Sequence, residues 1–204
     1  MKILILGSTG ILGKTLFFYL KSKKIKFSCI TRKKKDSLYL KNFNNISKLK
    51  KMINDENPTH LVNCLGVTKF SKSYNLVKQT KFINTVFPKK IAKFCCEKKI
   101  YFIHISTDCV FSGDKGNYLE TSKKDAKDLY GRTKAMGEVK NSYCSTIRTS
   151  FIGPETKTKK SLLNWFLSQK IKANGYDQAF FSGLTSLELS KIIYKFFLTK
   201  NNYF

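Results

Sequence analysis

Arginine is scarce in this chain, acid is scarcer than base, and metal-type cysteine spacing is missing. Among 39 basic residues only Arg32, Arg132 and Arg148 are arginines. Arginine's planar fork is the usual reader of base edges and paired phosphate oxygens. The lysines are spread along the whole chain rather than clustered. The net charge of +26 therefore reads as a compositional bias that favours anionic substrates, and no nucleic-acid partner is expected. No apolar run approaches the roughly 20 residues that cross a bilayer, so no membrane partner is expected. No signal-peptide pattern opens the chain, and a cytoplasmic location is expected. The six cysteines contain no Cys-x-x-Cys pair and only two histidines accompany them, so neither a metal site nor a disulfide is expected.

What is present alternates apolar strand-like runs with amphipathic helices. Strands are expected at Lys2–Leu6, Phe27–Thr31, Thr59–Leu65, Ile100–Ile105 and Ser145–Thr149. Helices are expected at about Ile11–Leu20, Ile46–Asp55, Leu76–Phe87, Pro88–Lys98 and Leu187–Leu198, with a further one carrying Tyr130 and Lys134. This order predicts an α/β fold, a Rossmann-type doubly wound parallel sheet with its site at the strands' carboxyl ends. A length of 204 residues suits one domain with a sizeable core. Trp165, the lone tryptophan, is expected in that core.

The first strand leads into Gly7-Ser8-Thr9-Gly10-Ile11-Leu12-Gly13 and then a helix, the context a dinucleotide fingerprint requires. Gly7 permits the tight turn, Gly10 lets a pyrophosphate approach, and Gly13 lets helix and strand pack closely. Gly13-Lys14-Thr15 is not a triphosphate loop, because Ser8 stands where that motif needs glycine. After the second strand an NAD-binding unit places an acid on the ribose; here Arg32 and Lys33–Lys35 follow Thr31. This predicts NADPH, with NADH as the alternative. Cys64-Leu65-Gly66 ends the next strand, and its glycine lets the cofactor lie against the backbone. Asn84, inside a helix, is expected to anchor the site's backbone through its amide.

The stretch from His104 to Glu138 carries the chemistry. Ser106, Thr107 and Asp108 close an apolar strand, and Tyr130 and Lys134 follow one helical turn apart, about 40° around the axis and about 6 Å along it. The Tyr-x-x-x-Lys spacing occurs three times, at Tyr19, Tyr74 and Tyr130, so spacing alone carries little. Only the third follows strand-end hydroxyls. An ammonium beside a phenol lowers the phenol's pKa. With a hydroxyl from Ser106 or Thr107, this set suits reduction of a ketone or oxidation of an alcohol. The polar span between Phe111 and Asp128 suits a mobile loop over the pocket.

With these motifs in hand, the chain resembles the extended short-chain dehydrogenase/reductases, and among them the dTDP-4-dehydrorhamnose reductase-like family. The segments that carry the resemblance are Gly7–Gly13, Val62–Gly66, Ile103–Gly113, Asp128–Glu138 and Thr146–Ser150. It implies NADPH-dependent reduction of a nucleotide-linked 4-keto-6-deoxy sugar. By position, Tyr130 would donate the proton, Lys134 would lower its pKa and hold the nicotinamide ribose, and Thr107 would bond the keto oxygen. Gly7–Gly13, Arg32, Cys64–Gly66 and Ser106 would hold the cofactor. Thr68, Asp108, Cys109 and Phe151 would face the sugar nucleotide; the family usually has Tyr where Cys109 stands and Trp where Phe151 stands. Residues 1–150 would form the cofactor domain and 151–204 part of a substrate region that continues further in family members. A fragment, a reduced enzyme, and a cofactor-binding subunit serving a partner enzyme remain alternatives, and a homodimer is open.

Overall fold

Four consecutive buried residues, Ile3–Leu6, form β1 at the middle of a six-stranded parallel sheet. The computed structural model describes residues 1–32, 38–69, 71, 76–155 and 161–198. Lys33–Lys35 and Tyr74, named above, lie outside them. From β1 the chain passes through α1 (Ile11–Ser22) to β2 (Phe27–Thr31) and β3 (Leu38–Tyr39). It then returns through α2 (Ile46–Glu56) to β4 (His60–Asn63) on the other side of β1. Next come α3 (Val77–Lys81), a π-helical turn (Phe82–Val86), α4 (Phe87–Glu97), β5 (Tyr101–Ile105), a 3-10 turn (Asp108–Val110), α5 (Leu129–Gly137) and β6 (Cys144–Ile147). The spatial order is β3-β2-β1-β4-β5-β6, so the chain reverses direction between β1 and β4. Ligands bind at the carboxyl side of such a switch point.

The predicted strands and helices are all there. β3 was not legible, since two residues show no period. Beyond β6 the short strands β7 (Phe151–Ile152) and β8 (Leu184–Thr185) pair in parallel, with α6 (Leu162–Leu167) between them in sequence. The last helix, α7 (Ser186–Leu198), turns Leu189, Ile193 and Phe197 into the core beside Leu12, Leu16 and Leu20 of α1. Both sets recur at helical spacing, which is why these two helices cover one face of the sheet. The other face carries α2 and α4, where Leu49, Ile53, Phe87 and Ile91 are fully buried. Sheet residues buried on both sides read as continuous apolar runs.

Local chemistry fixes the boundaries near the site. Asn45 caps α2 by accepting from Lys48 N at 2.9 Å, and Asp128 caps α5 by accepting from Gly131 N at 2.7 Å. Pro88 has no N–H to give to the carbonyl of Asn84, and there the helix widens into a π-turn in which Phe87 N bonds Phe82 O.

One expectation is corrected. Trp165 is 41% exposed and α6 buries none of its residues, so this tryptophan is not core. The span after Phe111 makes several contacts with the body of the fold. Ser112 N donates to Asp125 Oδ1 at 2.7 Å, Asp125 N to Val110 O, and Arg148 Nη1 to Glu120 O at 2.8 Å. Phe111 stacks on Tyr118 with ring centroids 4.4 Å apart, and the Tyr118 hydroxyl accepts from Gly113 N and Lys115 N.

Candidate active site

The Gly-rich turn sits at the carboxyl end of β1. Gly7 has φ +87°, a conformation side chains disfavour, and a Cβ on Gly13 would fall 2.3 Å from Gly7 O. A Cβ on Gly10 would meet only Gly7 O, at 3.7 Å, so the space in front of Gly10 is open. Gly10 begins α1 without a side-chain cap, and no acid occupies the first turn. The helix's amino-terminal N–H groups are thus left to an outside anion, and a pyrophosphate fits this cradle. Ser8, Thr9, Ile11 and Leu12 complete the turn; Leu12 packs inward, whereas Thr9 is exposed. Arg32 follows β2, the neighbour of β1, and is exposed. Cys64, Leu65 and Gly66 follow β4 on the other flank, where burial pushes the Cys64 thiol up to about 12.

The hydroxyl set follows β5. Thr107 Oγ1 accepts from Cys109 N and donates to Asp108 Oδ1 at 3.0 Å, and it lies near enough to the Tyr130 phenol to lower that group's pKa. Tyr130 and Lys134 lie on α5, with Lys134 only 3% exposed. The Lys134 ammonium donates to Ile105 O at 2.6 Å. Burial pushes the Tyr130 phenol up to about 12, opposed first by the Thr107 hydroxyl. The ammonium is spent on β5, and its own pKa is pushed down to about 8 by burial, against the pull of Glu138 and then Cys64. Tyr130 is therefore a protonated phenol, suited to giving a proton.

Asn84 does what its position implied. Its Oδ1 accepts from Val67 N at 2.9 Å and its Nδ2 donates to Val67 O at 3.0 Å, tying the loop after β4 to the π-turn. Nδ2 also reaches Thr133 Oγ1 on α5 at 3.1 Å. Thr68, next to this anchor, is exposed and shares a hydrogen bond with Ser71. Asp108 and Cys109 are exposed in the 3-10 turn. Phe151 is half-buried and packs against the core shared by α1 and α7.

Several residues were not read from the sequence. Glu138, at the end of α5, pairs bidentately with Arg148, with Nε to Oε1 and Nη2 to Oε2 both at 2.9 Å. It also accepts from Ser106 Oγ and Lys124 Nζ, each at 3.0 Å. Arg148 is one of only three arginines, and that rarity was the available signal. His104 is fully buried and neutral, since burial and then Lys134 push its pKa well down. Asn63 Oδ1 accepts from Leu65 N, so Asn63 Nδ2 faces His104 Nδ1 at 3.1 Å and donates to it. The ring hydrogen then sits on Nε2, which has no partner among the described residues. Gly131 and Gly137 let α5 approach closely: a Cβ would fall 2.1 Å from Cys109 O and 1.9 Å from Asn84 O. A cleft of about 880 Å³ runs along β6 and α7, lined by Glu138, Arg148, Lys195 and Phe196 among others. None of the sequence-predicted site residues lines it.

With this geometry fixed, comparison with known proteins decides the lineage. The family model described as RmlD substrate binding domain matches residues 1–172. The chain belongs to the RmlD family. A dTDP-4-keto-6-deoxy-D-glucose reductase of Streptomyces niveus is 28% identical over 136 residues, covering 66% of this chain and 45% of that protein. A methionine adenosyltransferase 2 subunit beta of Xenopus tropicalis is 25% identical over 138 residues, 67% of this chain and 41% of that one. The crystal structure of a dTDP-4-dehydrorhamnose reductase from Clostridium acetobutylicum superposes with a TM-score of 0.80 at 25% identity. It covers 98% of this chain and 71% of that one. The chain thus spans less than half the length of these two curated RmlD-like relatives. Among the described residues no helix is long and apolar enough to cross a membrane.

Proposed function

We propose that this chain is an NADPH-dependent reductase acting on a nucleotide-linked 4-keto-6-deoxy sugar. The observation that carries the reading is the Tyr130–Thr107 hydroxyl pair at the carboxyl edge of the sheet. Lys134 is buried behind it, and the open Gly10 turn lies two strands away. Bound along that turn, NADPH would supply the hydride to the carbonyl carbon. The chain's own residues would do the rest. Thr107 and Tyr130 would hold the keto oxygen, and the Tyr130 phenol would give it the proton, forming the alcohol. Lys134, held by Ile105 O, would hold the nicotinamide ribose, and the α1 amino terminus would take the pyrophosphate. Arg32 would favour NADPH over NADH. Thr68, Asp108, Cys109 and the region from Phe151 onward would meet the sugar nucleotide. The lack of the family's usual Tyr and Trp at Cys109 and Phe151 leaves room for a different sugar.

The test is NADPH oxidation with a panel of nucleotide-linked 4-keto sugars, comparing the parent with Tyr130→Phe. Loss of the proton donor should lower turnover by roughly 10²–10⁴-fold while leaving NADPH binding in place. Equal rates for the two proteins would end the reading.

A second reading is a cofactor-binding subunit that completes or regulates a partner enzyme. The likeness to a methionine adenosyltransferase 2 subunit beta supports it. It expects NADPH binding without turnover of any 4-keto sugar nucleotide.

A further inference from the structure

Residues on one face of α5 grip consecutive residues at the end of β5. Tyr130 lies beside Thr107, Lys134 donates to Ile105 O at 2.6 Å, and Glu138 accepts from Ser106 Oγ at 3.0 Å. Tyr130, Lys134 and the C-terminal cap residue Glu138 are spaced four apart, so they follow one face of α5. Glu138 is the best anchored of them. Its side chain is 7% exposed, forked onto Arg148 and bridged to Lys124. We propose that Glu138 is a positioning residue for this site, fixing the Ser106 hydroxyl and setting a buried carboxylate one helical turn from the buried Lys134 ammonium. The role assigned to Lys134 rests on the reductase reading; the electrostatic link does not.

Lys134 is faced by few groups that could offset its burial. Cys64 after β4 offsets it less than Glu138 does, and His104 on β5 is a neutral ring that carries no negative charge. Glu138 on α5 is the acidic group that acts on it among the described residues. Burial pushes the Glu138 carboxyl up, but Arg148, Lys124 and Ser106 outweigh this and hold it below its ordinary range. A carboxylate so held stays ionised wherever Lys134 titrates. An ammonium 3% exposed with no such neighbour would give up its proton near neutral pH. An uncharged amine there would lose its attraction for an electron-rich ribose hydroxyl or a developing phenolate.

The test is direct titration of Lys134 by 13Cε NMR on 13C-lysine-labelled full-length protein, without cofactor or substrate. The signal is assigned by its loss in Lys134→Arg. The parent should titrate near about 8. Glu138→Gln should lower that midpoint by roughly one pH unit or more, a tenfold loss of ammonium in the fall-off range. Glu138→Asp, which keeps the charge, should restore most of the shift. If Glu138→Gln does not fold, Arg148→Met replaces it: the carboxylate, no longer neutralised by the guanidinium, should raise the Lys134 midpoint. An unchanged midpoint in folded Glu138→Gln, or an unchanged or lowered one in Arg148→Met, overturns the proposal. A confirmed shift in a protein that turns over no keto sugar would leave this link standing and remove only the reductase reading.

Discussion

Single residues carry separable duties in this site, and the glycines show it. Gly10 faces open space, whereas Gly13 is pressed against Gly7 O. Gly10→Ala should leave stability within about 0.5 kcal/mol of the parent. It should weaken NADPH binding roughly tenfold, because the methyl intrudes where the pyrophosphate lies. Gly13→Ala should instead cost about 2–3 kcal/mol in a urea unfolding measurement, since backbone must shift. The reverse pattern would place the cofactor elsewhere. His104 is a second case. Folded, its ring resists protonation, whereas in the unfolded chain it takes a proton near about 6.5. The unfolded state then binds more protons, so His104 costs stability as pH falls through and below about 6.5. His60, whose pKa burial pushes down to about 4, adds to the same loss. His104→Gln should flatten the fall in urea midpoint between about pH 7 and 5 relative to the parent. Parallel curves would mean that the buried ring is already charged in the folded protein.

At the scale of elements, the site depends on how closely α5 seats on the π-turn and the 3-10 turn. Asn84, on the π-turn, ties α5 to the loop after β4: its amide holds Val67 and reaches Thr133, and its carbonyl lies where a Cβ of residue 137 would fall at 1.9 Å. Gly137→Ala should therefore destabilise by at least about 2 kcal/mol, read from urea unfolding, and loosen the α5 face that holds Lys134 and Glu138. A neutral effect would mean that α5 has room to slide. Much of this element structure was legible. The β1 turn and the α5 pair stood out because apolar runs ended in glycine or hydroxyl residues at fixed offsets. Less legible was what α5 grips. Nothing in the sequence said that Lys134 would bond Ile105 O, because that contact is made by helix-to-strand distance. The Glu138–Arg148 pair joins residues brought together by the β5–α5–β6 crossover, and no local pattern reports it. Trp165 was misplaced because composition gives tryptophan a core prior, while α6 here buries none of its residues.

For the whole molecule, the parallel sheet explains why separate stretches of sequence meet. The order β2-β1-β4-β5 lines up Arg32, the Gly7–Gly13 turn, Cys64–Gly66 and Ser106–Cys109 along one edge, and α5 then adds Tyr130 and Lys134. The excess of positive charge surrounds this edge without defining it, since the lysines are distributed along the chain. The measurement that tests the account most directly is a crystal structure of this chain grown with NADP⁺. The account expects the pyrophosphate against Gly10 at the start of α1, the adenosine phosphate beside Arg32, and the nicotinamide within reach of Tyr130 and Lys134. A dinucleotide bound in the cleft along β6 and α7, or none bound at millimolar concentration, would contradict it.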